Sequence, residues 1–189
     1  MKQITYLNGS PCRDGATDEL LRLLVQHIGS EYTHHVCNLR DYRIAYCMGC
    51  KACYNTGVCV QDDDMPEIIQ QLASADVIVT VSPSYWADIT GQMKVFFDRC
   101  TPYCALHTSQ DVLTAGKIGF AAAIRTGHNP SECLHIIESI NHFYGHMEIV
   151  SADSVYLCGI QTPDDIRRQD DIIKQFATQM KRILLHSEI

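Results

Sequence analysis

The sequence predicts an open parallel β-sheet with helices packed on both of its faces. Three observations lead there. Short apolar runs alternate with amphipathic stretches along the chain. The runs from Asp76 to Val81 and from Lys117 to Ile124 are almost continuously apolar inside, as strands covered on both faces are. No repeat, low-complexity tract or linker breaks the pattern, so a single domain is expected over residues 1–189.

Each element has its own signal. Ile4 to Leu7 is the first strand, and a helix starts near Thr17 with Leu20, Leu21, Leu24 and Ile28 at helical spacing. Thr33 to Leu39 is a second strand. Asp41 to Val60 is expected to be a long irregular connection with a cysteine-rich insertion at 47–59. Asp62-Asp63-Asp64 should open the next helix, with Asp64 and Glu67 as a capping box, Pro66 in the first turn, and Ile68, Ile69 and Leu72 inward. The third strand breaks at Ser82-Pro83-Ser84-Tyr85-Trp86, ahead of a helix marked by Met93, Phe96 and Phe97. Asp111 to Gly116 is expected to be a surface loop before the fourth strand. The next helix carries Ile136, Ile137 and Ile140 and should stop at Gly145. Glu148 to Leu157 is the last strand. Ile172, Ile173, Phe176, Met180, Ile183 and Leu184 mark the closing helix.

Bulk properties narrow the function. A net charge of −7 argues against a general nucleic-acid binder. No apolar run approaches the roughly 20 residues of a membrane span. The first residues do not read as a signal peptide, and ten cysteines without one suggest a reducing cytoplasm.

In parallel sheets ligands bind beyond the carboxyl ends of strands. Three loops of unusual composition, 8–17, 82–90 and 125–129, all follow expected strands and should meet at one end. In the first, Gly9 and Gly15 let backbone approach a ligand, Ser10 and Thr17 bring hydroxyls and Arg13 a charge, and a helix follows. That combination suits a phosphate. It is neither a P-loop nor a dinucleotide fingerprint, and an ordinary strand-to-helix turn is the plainer reading. In the second, Tyr85 and Trp86 suit a flat conjugated ring, or else a dimer contact or a core corner. Thr126 and Gly127 could add backbone donors. A phosphate and a flat polar ring together indicate a mononucleotide, FMN first.

The segments N-G-S-P-C-R-D-G-A-T and S-P-S-Y-W-A-D-I-T-G-Q-M-K-V-F-F-D-R resemble those of the NAD(P)H-dependent FMN reductases and iron–sulfur flavoproteins of the flavodoxin-like superfamily. The resemblance implies a flavodoxin-like sheet in the order 2-1-3-4-5, non-covalent FMN, and a homodimer. By it, Ser10, Arg13, Gly15, Ala16 and Thr17 hold the phosphate. Pro83, Ser84, Tyr85 and Trp86 flank the isoalloxazine, and Thr126 and Gly127 complete the pocket. Cys12 departs from the motif, which more often has a polar or charged residue there. NAD(P)H would be the co-substrate, and the electrons would go to a small acceptor or an electron-transfer partner. The cofactor carries the chemistry, so no catalytic acid, base or nucleophile is assigned.

Cys47, Cys50, Cys53 and Cys59 follow the spacing C-x2-C-x2-C-x5-C, close to compact ferredoxin-type runs. The spacing resembles that of iron–sulfur flavoproteins, which implies [4Fe–4S]. Reduced thiols, a disulfide or zinc are the other readings. The remaining cysteines are expected to be buried small hydrophobes. His34-His35 and His142…His146 are read as solvated or capping residues rather than metal pairs. The alternatives to a reductase are an iron–sulfur electron carrier and a cysteine-based redox or metal sensor on the same scaffold.

Overall fold

The computed structural model describes residues 1–107 and 112–186. In chain order the elements are β1 (Gln3–Asn8), α1 (Ala16–Ile28), β2 (Thr33–Asn38), α2 (Ala52–Thr56), α3 (Met65–Ser74), β3 (Val77–Pro83), α4 (Gly91–Arg99), β4 (Ile118–Ile124), α5 (Ser131–His146), β5 (Val150–Leu157), α6 (Pro163–Arg167) and α7 (Asp170–His186). Single 3-10 turns sit at Leu39–Asp41 and Thr101–Tyr103. All strands pair in parallel, in the order 2-1-3-4-5. This is the flavodoxin-like architecture expected from the sequence.

The strand alternation splits the core in two. Tyr6, Val79 and Phe120 face one way, onto Leu20 and Leu24 of α1 and Phe176 and Met180 of α7. Leu7, Ile78 and Ala121 face the other way, onto Ile68 and Leu72 of α3, Met93 and Phe96 of α4, and Ile136 and Ile140 of α5. Side chains a residue apart on a strand point to opposite faces, so both layers are needed to cover it. The winding reverses between β1 and β3, which places the switch point at their carboxyl ends.

Several local expectations are corrected. Asp64 is the N-cap of α3 but makes no side-chain cap bond. Its carboxylate instead accepts from the Arg43 amide at 2.6 Å, so no capping box forms. Asp63 accepts weakly from the Met65 amide, at 3.3 Å, and pairs with a distant arginine. Met93 and Phe96 are fully buried, while half-buried Phe97 stacks on Phe143 at 3.9 Å. Helix α5 runs on to His146, because Gly145 keeps helical geometry and the chain leaves at Met147. Of the stretch expected as a surface loop, Asp111 lies outside the described residues. Val112 and Thr114 are buried, Thr114 donating to the Met147 carbonyl at 2.6 Å. The short helix α6, closed by a capping box between Thr162 and Asp165, has too few apolar residues to show a period.

Candidate cofactor site

The first loop leaves β1 at Asn8. Gly9 passes close to α4 and β3: a Cβ would stand 2.5 Å from the Met93 methyl and 3.2 Å from the Val81 carbonyl oxygen. The Gly9 amide donates to the Val81 carbonyl at 2.8 Å, and its own carbonyl accepts from Thr90 Oγ1 and Gln92 Nε2 at 2.6 and 2.9 Å. Buried Asn8 shapes the next turn, its Oδ1 accepting from the Ser10 amide and its Nδ2 donating to Asp18 and Asn38. Arg40, almost buried, reaches in from the turn after β2. It donates to the Cys12 carbonyl at 2.8 Å and grips Asp18 with both terminal nitrogens.

Two consequences follow for an anion. The first-turn amides of α1 have no acceptor within their own helix, and Gly15 at the N-cap offers no side chain to cap them. The acidic charge of Asp18 beside that helix start is offset by Arg40. Ser10 and Thr17 are buried at the base of this loop. Arg13 stands out in solvent and pairs with Asp41 at 2.5 Å. The loop therefore meets the requirements of a phosphate, with Arg13 at its rim.

The second loop is a tight two-residue turn. Tyr85 and Asp88 exchange backbone hydrogen bonds at 3.0 and 3.2 Å, and Trp86 and Ala87 between them have φ of 54° and 64°. Two successive left-handed residues mark a hairpin turn that glycine and asparagine normally fill. Holding a tryptophan there costs free energy, and such strain concentrates at binding sites. Trp86 is completely exposed and Tyr85 about half so. Burial first, and then the neighbouring Cys12 thiol, push the Tyr85 hydroxyl above its usual range. The Thr90 hydroxyl, bonded to the Gly9 carbonyl, ties the second loop to the first.

The third loop is tied to the second through Glu132. This carboxylate accepts from Ser84 Oγ at 2.9 Å and pairs with Arg125 at 3.0 Å. Arg125 lies against Gly127, where a Cβ would come within 2.5 Å of the guanidinium. Thr126 is exposed and Gly127 half-buried. The three loops thus follow β1, β3 and β4, adjacent strands of the sheet, and are cross-linked into one end face. Pro83 ends β3 and shapes the departure of the aromatic turn.

Asn8, Arg40, Thr90 and Glu132 organise this face without having been singled out in the sequence. Thr90 alone left a signal, as a threonine at a helix start; its hydroxyl does cap α4.

The cysteine loop lies beside this face. Cys47 and Cys50 are exposed, while Cys53 and Cys59 are half-buried. Gly49, Lys51 and Gly57 all take left-handed φ, which coils the segment around α2. Burial, and then the nearness of Cys59, Cys50 and Cys47, raises the Cys53 thiol above its ordinary value. Among the described residues no three His, Cys, Asp or Glu side chains meet at one point to hold a metal ion. The donor set nonetheless matches a cluster in type, number and sequence spacing. Beside it lies an orphaned donor: the Nε of buried Arg99 has no partner among the described residues. Cys47 shares a groove of about 730 Å³ with Asp88 and Ile89, which directly follow the aromatic turn.

Outside the motif, Cys37, Cys100, Cys104 and Cys133 are buried as expected, but Cys12 is exposed and Cys158 half-buried. His34 is structural, bonded to Tyr6 and the Gly29 carbonyl. His35 bonds Gln71, and His142 and His146 face each other at 3.1 Å on the outer side of α5.

Residues 2–161 match the family of NADPH-dependent FMN reductases. The chain belongs to that family. Among its curated relatives, an iron–sulfur flavoprotein of Methanocaldococcus jannaschii is 30% identical over 80% of this chain and 77% of its own length. An iron–sulfur flavoprotein of Archaeoglobus fulgidus is 35% identical over 54% of this chain, a match that spans only 47% of that protein. The chain thus covers about half the length of some of these relatives. In fold it is similar to an NAD(P)H:quinone oxidoreductase from Methanothermobacter marburgensis, with a TM-score of 0.72, 18% identity and coverage of 100% and 99% of the two chains.

Proposed function

We propose that the end face formed by the loops after β1, β3 and β4 binds FMN and makes the protein an NAD(P)H-dependent oxidoreductase. The observation that carries this reading is the junction of an uncapped helix start, buried hydroxyls and a strained, exposed aromatic turn on adjacent strands. Ser10, Thr17 and the backbone of Gly15 and Ala16 hold the phosphate, with Arg13 adding charge at the rim. Pro83, Ser84, Tyr85 and Trp86 flank the ring, and Thr126 and Gly127 supply its polar edge. Bound FMN supplies the redox chemistry, taking a hydride from a nicotinamide and releasing electrons to an acceptor. The protein's part is to orient the ring, leave one face open to NAD(P)H and neutralise the phosphate.

The four cysteines favour an extension of this reading, in which Cys47, Cys50, Cys53 and Cys59 hold a [4Fe–4S] cluster and pass electrons onward as in an iron–sulfur flavoprotein. What supports it is the donor set, its position beside the aromatic turn, and relatives of that name. A small molecule or an electron-transfer protein is the acceptor, and the protein acts in the cytoplasm as a homodimer.

One anaerobic absorbance spectrum of fresh protein tests both parts. Flavin bands that bleach within seconds of adding NADPH or NADH are expected, over a broad iron–sulfur absorbance near 400 nm. Protein that retains no flavin, or whose flavin neither nucleotide reduces, overturns the oxidoreductase reading.

A further inference from the structure

We propose that Arg40 is a positioning residue for the loop after β1, holding its carbonyls to one side so that its amides serve an anion on the other. That anion is the FMN phosphate, so the role rests on the reading above. Arg40 lies in the 3-10 turn after β2, and its side chain is only 10% exposed. Nη1 donates to the carbonyls of Ser10 and Cys12, at 3.3 and 2.8 Å, and to Asp18 Oδ1 at 3.0 Å. Nη2 donates to Asp18 Oδ2 at 2.9 Å. Asp18 passes the constraint on, its two oxygens accepting from Asn8 Nδ2 and from the Asp14 amide, both at 2.8 Å. The second of these bonds fixes Asp14 in left-handed geometry, at φ 53°, where the chain turns into α1. One guanidinium, directly or through Asp18, therefore holds both ends of the loop and its middle.

A trans peptide points its C=O and its N–H in opposite directions. The Cys12 carbonyl is turned onto the guanidinium, so the Arg13 amide points away from it. Among the described residues, the amides of Arg13, Gly15, Ala16 and Thr17 have no acceptor. Ser10 Oγ accepts from the Cys12 amide at 3.2 Å, which leaves its proton for a ligand. Such a set of donors at a helix start is what the oxygens of a phosphate use. The hydrogen bonds of Arg40 all go to the protein, so it acts through the loop; exposed Arg13 is the charge offered to the ligand itself. A lysine at position 40 would keep the charge, but a single ammonium cannot reproduce a planar fork on two carbonyls and a carboxylate.

Fluorescence titration of the full chain, freed of bound flavin, gives dissociation constants for FMN and for riboflavin, which has the same ring and no phosphate. Wild type is expected to favour FMN about a hundredfold or more, through several hydrogen bonds to a charged group. Arg40→Lys should weaken FMN about tenfold and leave riboflavin within about twofold, so the preference falls about tenfold. A residue that only stabilised the fold would weaken both flavins alike. Should Arg40→Lys not fold, Asp18→Asn, which loosens the carboxylate that Arg40 grips, is judged by the same ratio. An unchanged preference in a folded variant overturns the positioning role, and a loss then confined to Arg40→Met assigns the effect to charge alone. A wild type that binds riboflavin as tightly as FMN removes the phosphate reading itself, and the role of Arg40 with it.

Discussion

At the scale of single residues, the aromatic turn makes the clearest claim. Trp86 and Ala87 sit in left-handed geometry that no local glycine excuses. Replacing Ala87 with glycine should raise stability by about 1 kcal/mol, since the left-handed region costs other residues roughly that much. Replacing the fully exposed Trp86 with alanine should leave stability within about 0.5 kcal/mol, yet weaken FMN about tenfold by removing one flank of the ring. Urea unfolding and flavin titration measure the two separately, and an unchanged FMN affinity would remove Trp86 from the site. For Thr17→Ala, loss of one hydrogen bond to a charged phosphate corresponds to about 1.5–3 kcal/mol, or roughly ten- to hundredfold in dissociation constant. Far-ultraviolet circular dichroism should be unchanged.

Between elements, charge pairs do work that apolar periodicity cannot. Arg99 and Asp63 lock α4 to the loop entering α3. Despite burial, which opposes its charge, the hydrogen bonds from Arg99 and the Ala45 and Met65 amides hold the Asp63 carboxyl below its usual range. Arg99→Ala alone should therefore cost about 3–5 kcal/mol by stranding a buried carboxylate, whereas the double apolar replacement should cost little. Denaturant midpoints of the two variants check this. Glu19 plays the matching part on the opposite face, joining α1 to α6 through Arg167 while pairing with Arg22 along its own helix. The hydrogen bond from Arg22, working against partial desolvation and aided by Arg167, brings its carboxyl from 4.5 down to about 2. A lowered folded-state value means the stabilisation is complete above pH 4.5 and is lost as pH falls toward 2. The melting-temperature gap between wild type and Glu19→Gln should thus be constant from pH 6 to 5 and close by pH 2. A gap that persists in acid would assign the effect to packing.

At the scale of the whole molecule, the aromatic turn continues into the groove between α4 and α5 through Asp88 and Ile89, with Phe97, Leu106 and Phe143 along it. That continuity, with Trp86 standing free and Leu106 69% exposed, supports a second copy as the cover for this face. Light scattering at micromolar concentration should report a dimer, and Leu106→Asp should shift it toward monomer while keeping the fold. A wild-type monomer with full flavin content and activity would sink the dimer. Among the described residues no helix is long and apolar enough to cross a membrane.

Much of this molecule is set by local pattern. The apolar runs of β3 and β4, the helical spacing of α1, α3, α5 and α7, and the small-residue loop after β1 each reside within a few residues of sequence. From them follow the parallel sheet and the position of the three loops at one end, because strand direction alone places them there. Long-range pairing is different. Nothing periodic in the chain announces that Arg40 meets Asp18, that Glu132 joins Ser84 to Arg125, or that Asp63 pairs with Arg99. Such contacts depend on how the helices close over the sheet. The same is true of α4: its apolar residues look equally suited to a core or an interface until packing buries Met93 and Phe96. The exposure of Trp86 was likewise invisible, because Trp-Ala carries none of the glycine or asparagine that signals a left-handed turn. Only the surrounding structure, with Ser84 pinned to β4 and Thr90 pinned to Gly9, forces the turn and puts the indole in solvent.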